Sequence, residues 1–183
     1  HDEHRSPELS VRRVLGTFRD LLRDRVFMGY TLSSGMAFTG MFAYIAGSPT
    51  VLIQLMGLDP QTYAILFGAN AAGFIAASQV NARLVRHVDM NRLLRAAIAL
   101  PGGVTLCLLA AEGMGILSLP LLLAGFFLYL TSLGFISPNA GALSLAAQPQ
   151  HRVGAASSLM GSLQFSMATA VSAWLALWQR PDA

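Results

Sequence analysis

The chain has 183 residues, of which 54% are hydrophobic and only 11% are Asp, Glu, Lys or Arg, and its net charge is +3. A soluble domain carries about 25% charged residues, so the composition excludes an ordinary soluble fold and points to a bilayer as solvent. No basic patch is interleaved with aromatics outside the apolar runs, which argues against nucleic-acid binding; the lone cysteine, Cys107, excludes an internal disulfide, and the sequence shows no metal-ligand spacing.

Residues 1–25 are more than a tail. Val11, Val14, Leu15, Phe18, Leu21 and Leu22 recur at helical spacing, while Arg12, Arg13, Arg19, Asp20 and Arg23 fill the other side. Ser10 stands where an N-cap belongs. The pattern predicts an amphipathic helix on the inner membrane surface, its arginines near anionic headgroups, and it is compatible with a connector between two membrane halves.

After Arg25 the charges thin out. None lies between Arg25 and Asp59, Asp59 and Arg83, Arg95 and Glu112, Glu112 and Arg152, or Arg152 and Arg180. About 20 apolar residues cross a bilayer as a helix. The intervals therefore predict an all-α, polytopic membrane protein with spans near 26–48, 61–82, 95–112, 117–143 and 153–178.

If the spans alternate, Arg5, Arg12, Arg13, Arg19, Arg23, Arg25, Arg83, Arg86, Arg92, Arg95 and Arg152 share one side and only Arg180 lies on the other. The positive-inside rule makes the arginine-rich side cytoplasmic. Trp174 and Trp178 then fit an interfacial aromatic belt at the outer face. The chain begins with His1 rather than Met, shows no signal peptide and stops soon after its fifth span, so a piece of a longer protein is expected.

The spans hold no Asp, Lys, Arg or His, and Glu112 stands at a span edge. No nucleophile–base pair or phosphate loop is present, so neither catalysis nor a cofactor is expected. What the spans do carry is uncharged polarity in helical stripes. These run through Ser33, Ala37, Gly40, Tyr44 and Gly47; Tyr63, Phe67, Asn70, Phe74, Ser78 and Asn81; Tyr129, Ser132, Ile136, Asn139 and Leu143; and Ser157, Gly161, Gln164, Ala168 and Ser172. Small residues at this spacing permit close helix packing. Asn70, Asn139 and Gln164 are larger, and three such amides on three helices point to a shared cavity, although an interhelical hydrogen bond explains any one of them. In GFISPNAGALSL, Gly134–Leu145, Pro138 removes a backbone donor beside the polar Asn139. That combination fits a hinge on a transport path, or a structural kink.

Four segments, FTGMFAYIAGSPTVL (Phe38–Leu52), FGANAAGFIAASQVNARL (Phe67–Leu84), GFISPNAGALSLA (Gly134–Ala146) and GAASSLMGSLQF (Gly154–Phe165), resemble the Bcr/CflA type of drug-resistance transporter, within the major facilitator superfamily. The resemblance covers roughly residues 10–178. It implies a twelve-helix protein in two halves that exports drugs against protons in the bacterial cytoplasmic (inner) membrane. This chain would supply the central cytoplasmic loop and helices seven to eleven, with the N-terminal half and helix twelve lying elsewhere in the protein. The implied partners are a small drug-like molecule, protons, the lipid bilayer and that other half. Arg83, Arg86, Asp89 and Arg92 would form a cytoplasmic loop motif, although the loop matches the superfamily pattern only loosely. No residue here is assigned to proton coupling.

Tyr44, Asn70, Asn139 and Gln164 are the expected substrate contacts, and Pro49 and Pro138 the expected sites of helix ends or bends. Two other readings stand beside this one. The first is an exporter of the same fold for a metabolite such as an amino acid or sugar. The second is a non-transporting membrane scaffold.

Overall fold

The computed structural model describes residues 11–178. Among them run six α-helices and no strand: α1 (Val11–Arg23), α2 (Arg25–Pro49), α3 (Pro60–Leu84), α4 (Met90–Gly113), α5 (Leu119–Ala146) and α6 (Val153–Trp178). Three helix starts are fixed by aspartates. Asp24 accepts from the N–H groups of Val26 and Phe27, Asp59 from those of Gln61 and Thr62, and Asp89 from that of Arg92. Each carboxylate satisfies donors that a helix leaves unpaired and sits at the positive end of the helix dipole. Ser10, Arg5 and Arg180 lie outside the described residues, as does the side chain of Trp178.

Four of the described helical segments are long and apolar enough to cross a membrane: Arg25–Leu55, Pro60–Leu84, Met90–Gly113 and Leu119–Ala146. They lie over the first four predicted spans. The α-helix of the first ends at Pro49, beside the expected boundary near residue 48, but the helical path goes on. It continues through Pro49 as a π-helix, Thr50–Leu55, giving 31 residues in all. Proline cannot donate a backbone hydrogen bond, and beyond it the winding widens: Met56 N–H reaches back five residues to the Val51 carbonyl. Gly57, at φ +70°, then turns the chain, a conformation glycine takes at little cost. α6 fills the fifth predicted interval with 26 residues and no charge. Seven hydroxyl or amide side chains between Ser157 and Ser172 dilute its apolar content, so the count by length and apolarity stops at four.

α5 is the hub. α2, α3 and α4 all pack on it, and α6 packs on α2. The core gathers Ala37, Tyr44, Leu94, Leu130, Leu133, Ile136 and Ala140. Pro138 lies inside α5, which runs unbroken from Leu119 to Ala146. Its missing N–H leaves the Gly134 carbonyl without its usual helical partner. Gly134 is also where α3 comes very close: a Cβ there would stand 2.6 Å from the Phe74 carbonyl oxygen and 2.9 Å from the Ser78 nitrogen. The small residue is thus a packing requirement. In the α6 stripe, by contrast, Ala168 is buried but a Cβ at Gly161 would meet nothing within 4 Å.

α1 is seated on the bundle. Leu21 is 1% exposed and packs with Phe27 and Ala156, with Phe18 beside them. One apolar side of the predicted surface helix is therefore spent on protein, while Leu15 and Leu22 stay exposed. Arg152 pairs with Asp20 at 3.5 Å, and the Gln148 amide donates to Asp24 at 2.7 Å. The Tyr30 hydroxyl donates to Asn91 Oδ1 at 2.6 Å. These contacts place the start of α2, the α3–α4 turn and the α5–α6 turn at one end of the bundle, which is where the arginines of those segments collect.

Candidate functional site

Polar side chains in a membrane bundle need partners, because lipid offers none. Each of the four predicted contact residues has found one on a neighbouring helix.

Tyr44 on α2 and Asn70 on α3 meet directly. Asn70 Nδ2 donates to the Tyr44 hydroxyl at 2.7 Å, and both side chains are buried. Aromatic rings surround the pair. Phe67 stacks on Tyr44 at a centroid distance of 5.7 Å and 14°, and Phe126 of α5 meets it edge-on at 5.2 Å and 72°. Tyr63 lies beside Phe67 at 6.0 Å, and its hydroxyl shares a hydrogen bond with Ser48 at 3.0 Å. Such ring geometries are the favoured ones for aromatic pairs. A cavity of about 110 Å³ opens here, lined by Met41, Tyr44, Ile45, Phe67, Asn70, Ala71, Phe74 and Leu130. Its walls carry no charge, and the Asn70 amide and Tyr44 hydroxyl bond each other rather than facing into it, so the surface it presents is apolar. Tyr44 also borders a cavity of about 560 Å³ between α2, α4 and α5, with Tyr129, Phe126 and Thr105 in its wall and the exposed Glu112 at its edge.

Asn139 and Gln164 are held elsewhere. Asn139 exchanges two hydrogen bonds with Asn81 of α3, at 2.8 and 3.1 Å, and is 1% exposed. Gln164 Nε2 donates to the Ser34 hydroxyl at 2.9 Å across the α2–α6 interface. Neither lines the two cavities just described. The structure therefore joins Tyr44 and Asn70 in one site and gives the other two amides separate interhelix bonds.

Arg83, Arg86, Asp89 and Arg92 cluster around the α3–α4 turn and are all exposed. Asp89 caps α4, and no ion pair joins the four among the described residues. No group of three or more His, Cys, Asp or Glu suited to a metal ion occurs among the described residues.

Sequence reading did not single out Asn81, Ser34, Ser48 and Phe126, which complete these contacts. Asn81 shared a stripe with Asn70, so its signal was present. Ser34 carried none, since one serine among many in a span says nothing about its partner.

The family model of the Major Facilitator Superfamily matches residues 2–173. A protein of Bacillus subtilis (strain 168), named as the uncharacterized MFS-type transporter YdgK, is 34% identical over 172 residues. That alignment takes in 93% of this chain and 42% of the relative, so the chain spans less than half the length of the curated relative it matches. No solved structure matches. With a strandless bundle of long apolar helices and a family match over nearly its whole length, the chain belongs to the major facilitator superfamily.

Proposed function

We propose that this chain is part of a Bcr/CflA-type drug transporter that exports small amphiphilic compounds in exchange for protons. The reading rests on the Tyr44–Asn70 pair in its uncharged aromatic pocket. The ring-lined wall suits the apolar part of such a molecule, and the cavity of about 560 Å³ that Tyr44 also borders has the size of a small-ligand pocket. An amino-acid substrate would call for charged partners of both signs in the wall; the smaller pocket has no charge and the larger only the exposed Glu112, so a metabolite exporter is the second reading.

Transport requires that the pocket face each side of the membrane in turn, against a further part of the protein. Exchange with protons would use acidic groups there, because the described spans hold no carboxylate in their interior. The arginine-rich end of the bundle faces the cytoplasm in this reading, and the protein sits in the bacterial cytoplasmic membrane. Family membership supports the transporter; the drug and the proton are the proposal. Expression of the intact protein in a host stripped of its own efflux pumps tests it. Raised resistance to amphiphilic drugs, abolished by collapsing the proton gradient, is the expected result. Unaltered resistance across a broad panel at normal membrane abundance would overturn it.

A further inference from the structure

At the arginine-rich end of the bundle lies a cavity of about 370 Å³ between the start of α2 and the start of α4. Arg25 and Arg95 line it together with Tyr30, Ser33, Asn91 and Ile98, and no carboxylate does. Neither arginine has an ion-pair partner among the described residues. Tyr30 occupies the Asn91 oxygen, which leaves the Asn91 NH2 as a further donor. Two unneutralised guanidinium groups from different helices, with an amide donor in the same cavity, offer the donors a phosphate group needs, since the planar fork of arginine matches phosphate oxygens in pairs.

The position selects the source of that phosphate. Arg25 begins one membrane-spanning helix and Arg95 lies in the second turn of another. The cavity also shares Ser33 and Ile98 with a neighbouring one of about 490 Å³, whose wall includes Met36, Gly102, Leu106 and Leu133. A cationic cup at the membrane boundary beside an apolar groove has the layout of a phospholipid. We infer that Arg25 and Arg95 hold the headgroup phosphate of an anionic phospholipid, with an acyl chain along the groove.

The test uses the intact protein purified in detergent and titrated with short-chain phosphatidylglycerol, phosphatidylcholine or inorganic phosphate, with bound molecules counted by native mass spectrometry. Phosphatidylglycerol should bind in preference to phosphatidylcholine and should resist displacement by inorganic phosphate. Its binding should weaken about fivefold in Arg95→Gln and about thirtyfold when Arg25→Gln is added. The variant Arg83→Gln with Arg86→Gln removes the same charge outside the cavity and should keep the preference. Equal binding of the two lipids would overturn the inference, and so would equal losses in both double variants. Ready displacement by inorganic phosphate would also overturn it, by making the cavity a site for soluble anions.

Discussion

Asn81 and Asn139 clasp α3 to α5 with two reciprocal hydrogen bonds, each amide donating to the other's oxygen at 3.1 and 2.8 Å. The residues are 58 positions apart in sequence, and both are buried. Asn139→Ala would leave a complete amide in Asn81 with nothing to bond. A buried unsatisfied polar group costs about 1–3 kcal/mol, whereas an intact hydrogen bond in a membrane bundle contributes about 0.6 kcal/mol. The single variant should therefore lower the thermal midpoint in detergent. The double variant Asn81→Ala, Asn139→Ala should fall little further, because the second change removes the stranded partner. Additive losses would show that the two amides do not act as a unit.

Gly134→Ala tests the closest approach of α3 and α5. Its Cβ would meet backbone atoms of Phe74 and Ser78, which cannot swing away as a side chain can. Overpacking of this kind costs about 1–3 kcal/mol. Gly141→Ala, seven residues on in the same helix, meets nothing within 4 Å and should be neutral or mildly stabilising. Thermal unfolding of the two variants side by side separates local packing from a general effect of glycine replacement.

The corner between α1 and α2 should lose stability in acid. The Gln148 amide, then the Phe27 and Val26 N–H groups, hold the Asp24 carboxyl below its ordinary pKa, against the opposing effect of burial. A carboxylate with a depressed folded pKa stabilises above its unfolded value of about 3.9 and loses that contribution as pH falls through the folded value. Gln148→Ala should thus lower the thermal midpoint at pH 5 to 7, and the difference from wild type should shrink below about pH 4. A difference that persists unchanged in acid would mean that the Asp24 charge is not what Gln148 serves.

Much of this fold was legible because a bilayer forbids unpaired charge. Gaps between Arg, Asp and Glu located the helices, and the aspartates at their edges proved to be caps. What the gaps could not show was neighbourhood. α5 packs on α2, α3 and α4, and no periodicity in one helix states which stripe of another it will meet. Asn139 and Gln164 were conspicuous as amides, yet their partners Asn81 and Ser34 are set by helix arrangement alone. The prolines differ in their surroundings: the α-helix of α2 ends at Pro49, where a π-helix takes over, whereas α5 runs without interruption from Leu119 to Ala146 with Pro138 inside it.

The candidate site was half visible. Tyr44 and Asn70 were named from their stripes, and they meet at 2.7 Å. The enclosing rings of Phe126 and Tyr63 became meaningful only once three helices were placed around them.

The most direct test is transport by the intact protein carrying Asn70→Ala or Tyr44→Phe, followed in inverted membrane vesicles with a panel of amphiphilic compounds under a proton gradient. Each substitution removes one side of the hydrogen bond that borders the pocket and leaves its rings in place. The account predicts changes of about five- to tenfold for some compounds and little for others, at normal protein abundance, as expected when one polar contact worth about 1 kcal/mol is lost or left unpaired. Identical transport of every compound by wild type and both variants would contradict the claim that substrate passes against Tyr44 and Asn70.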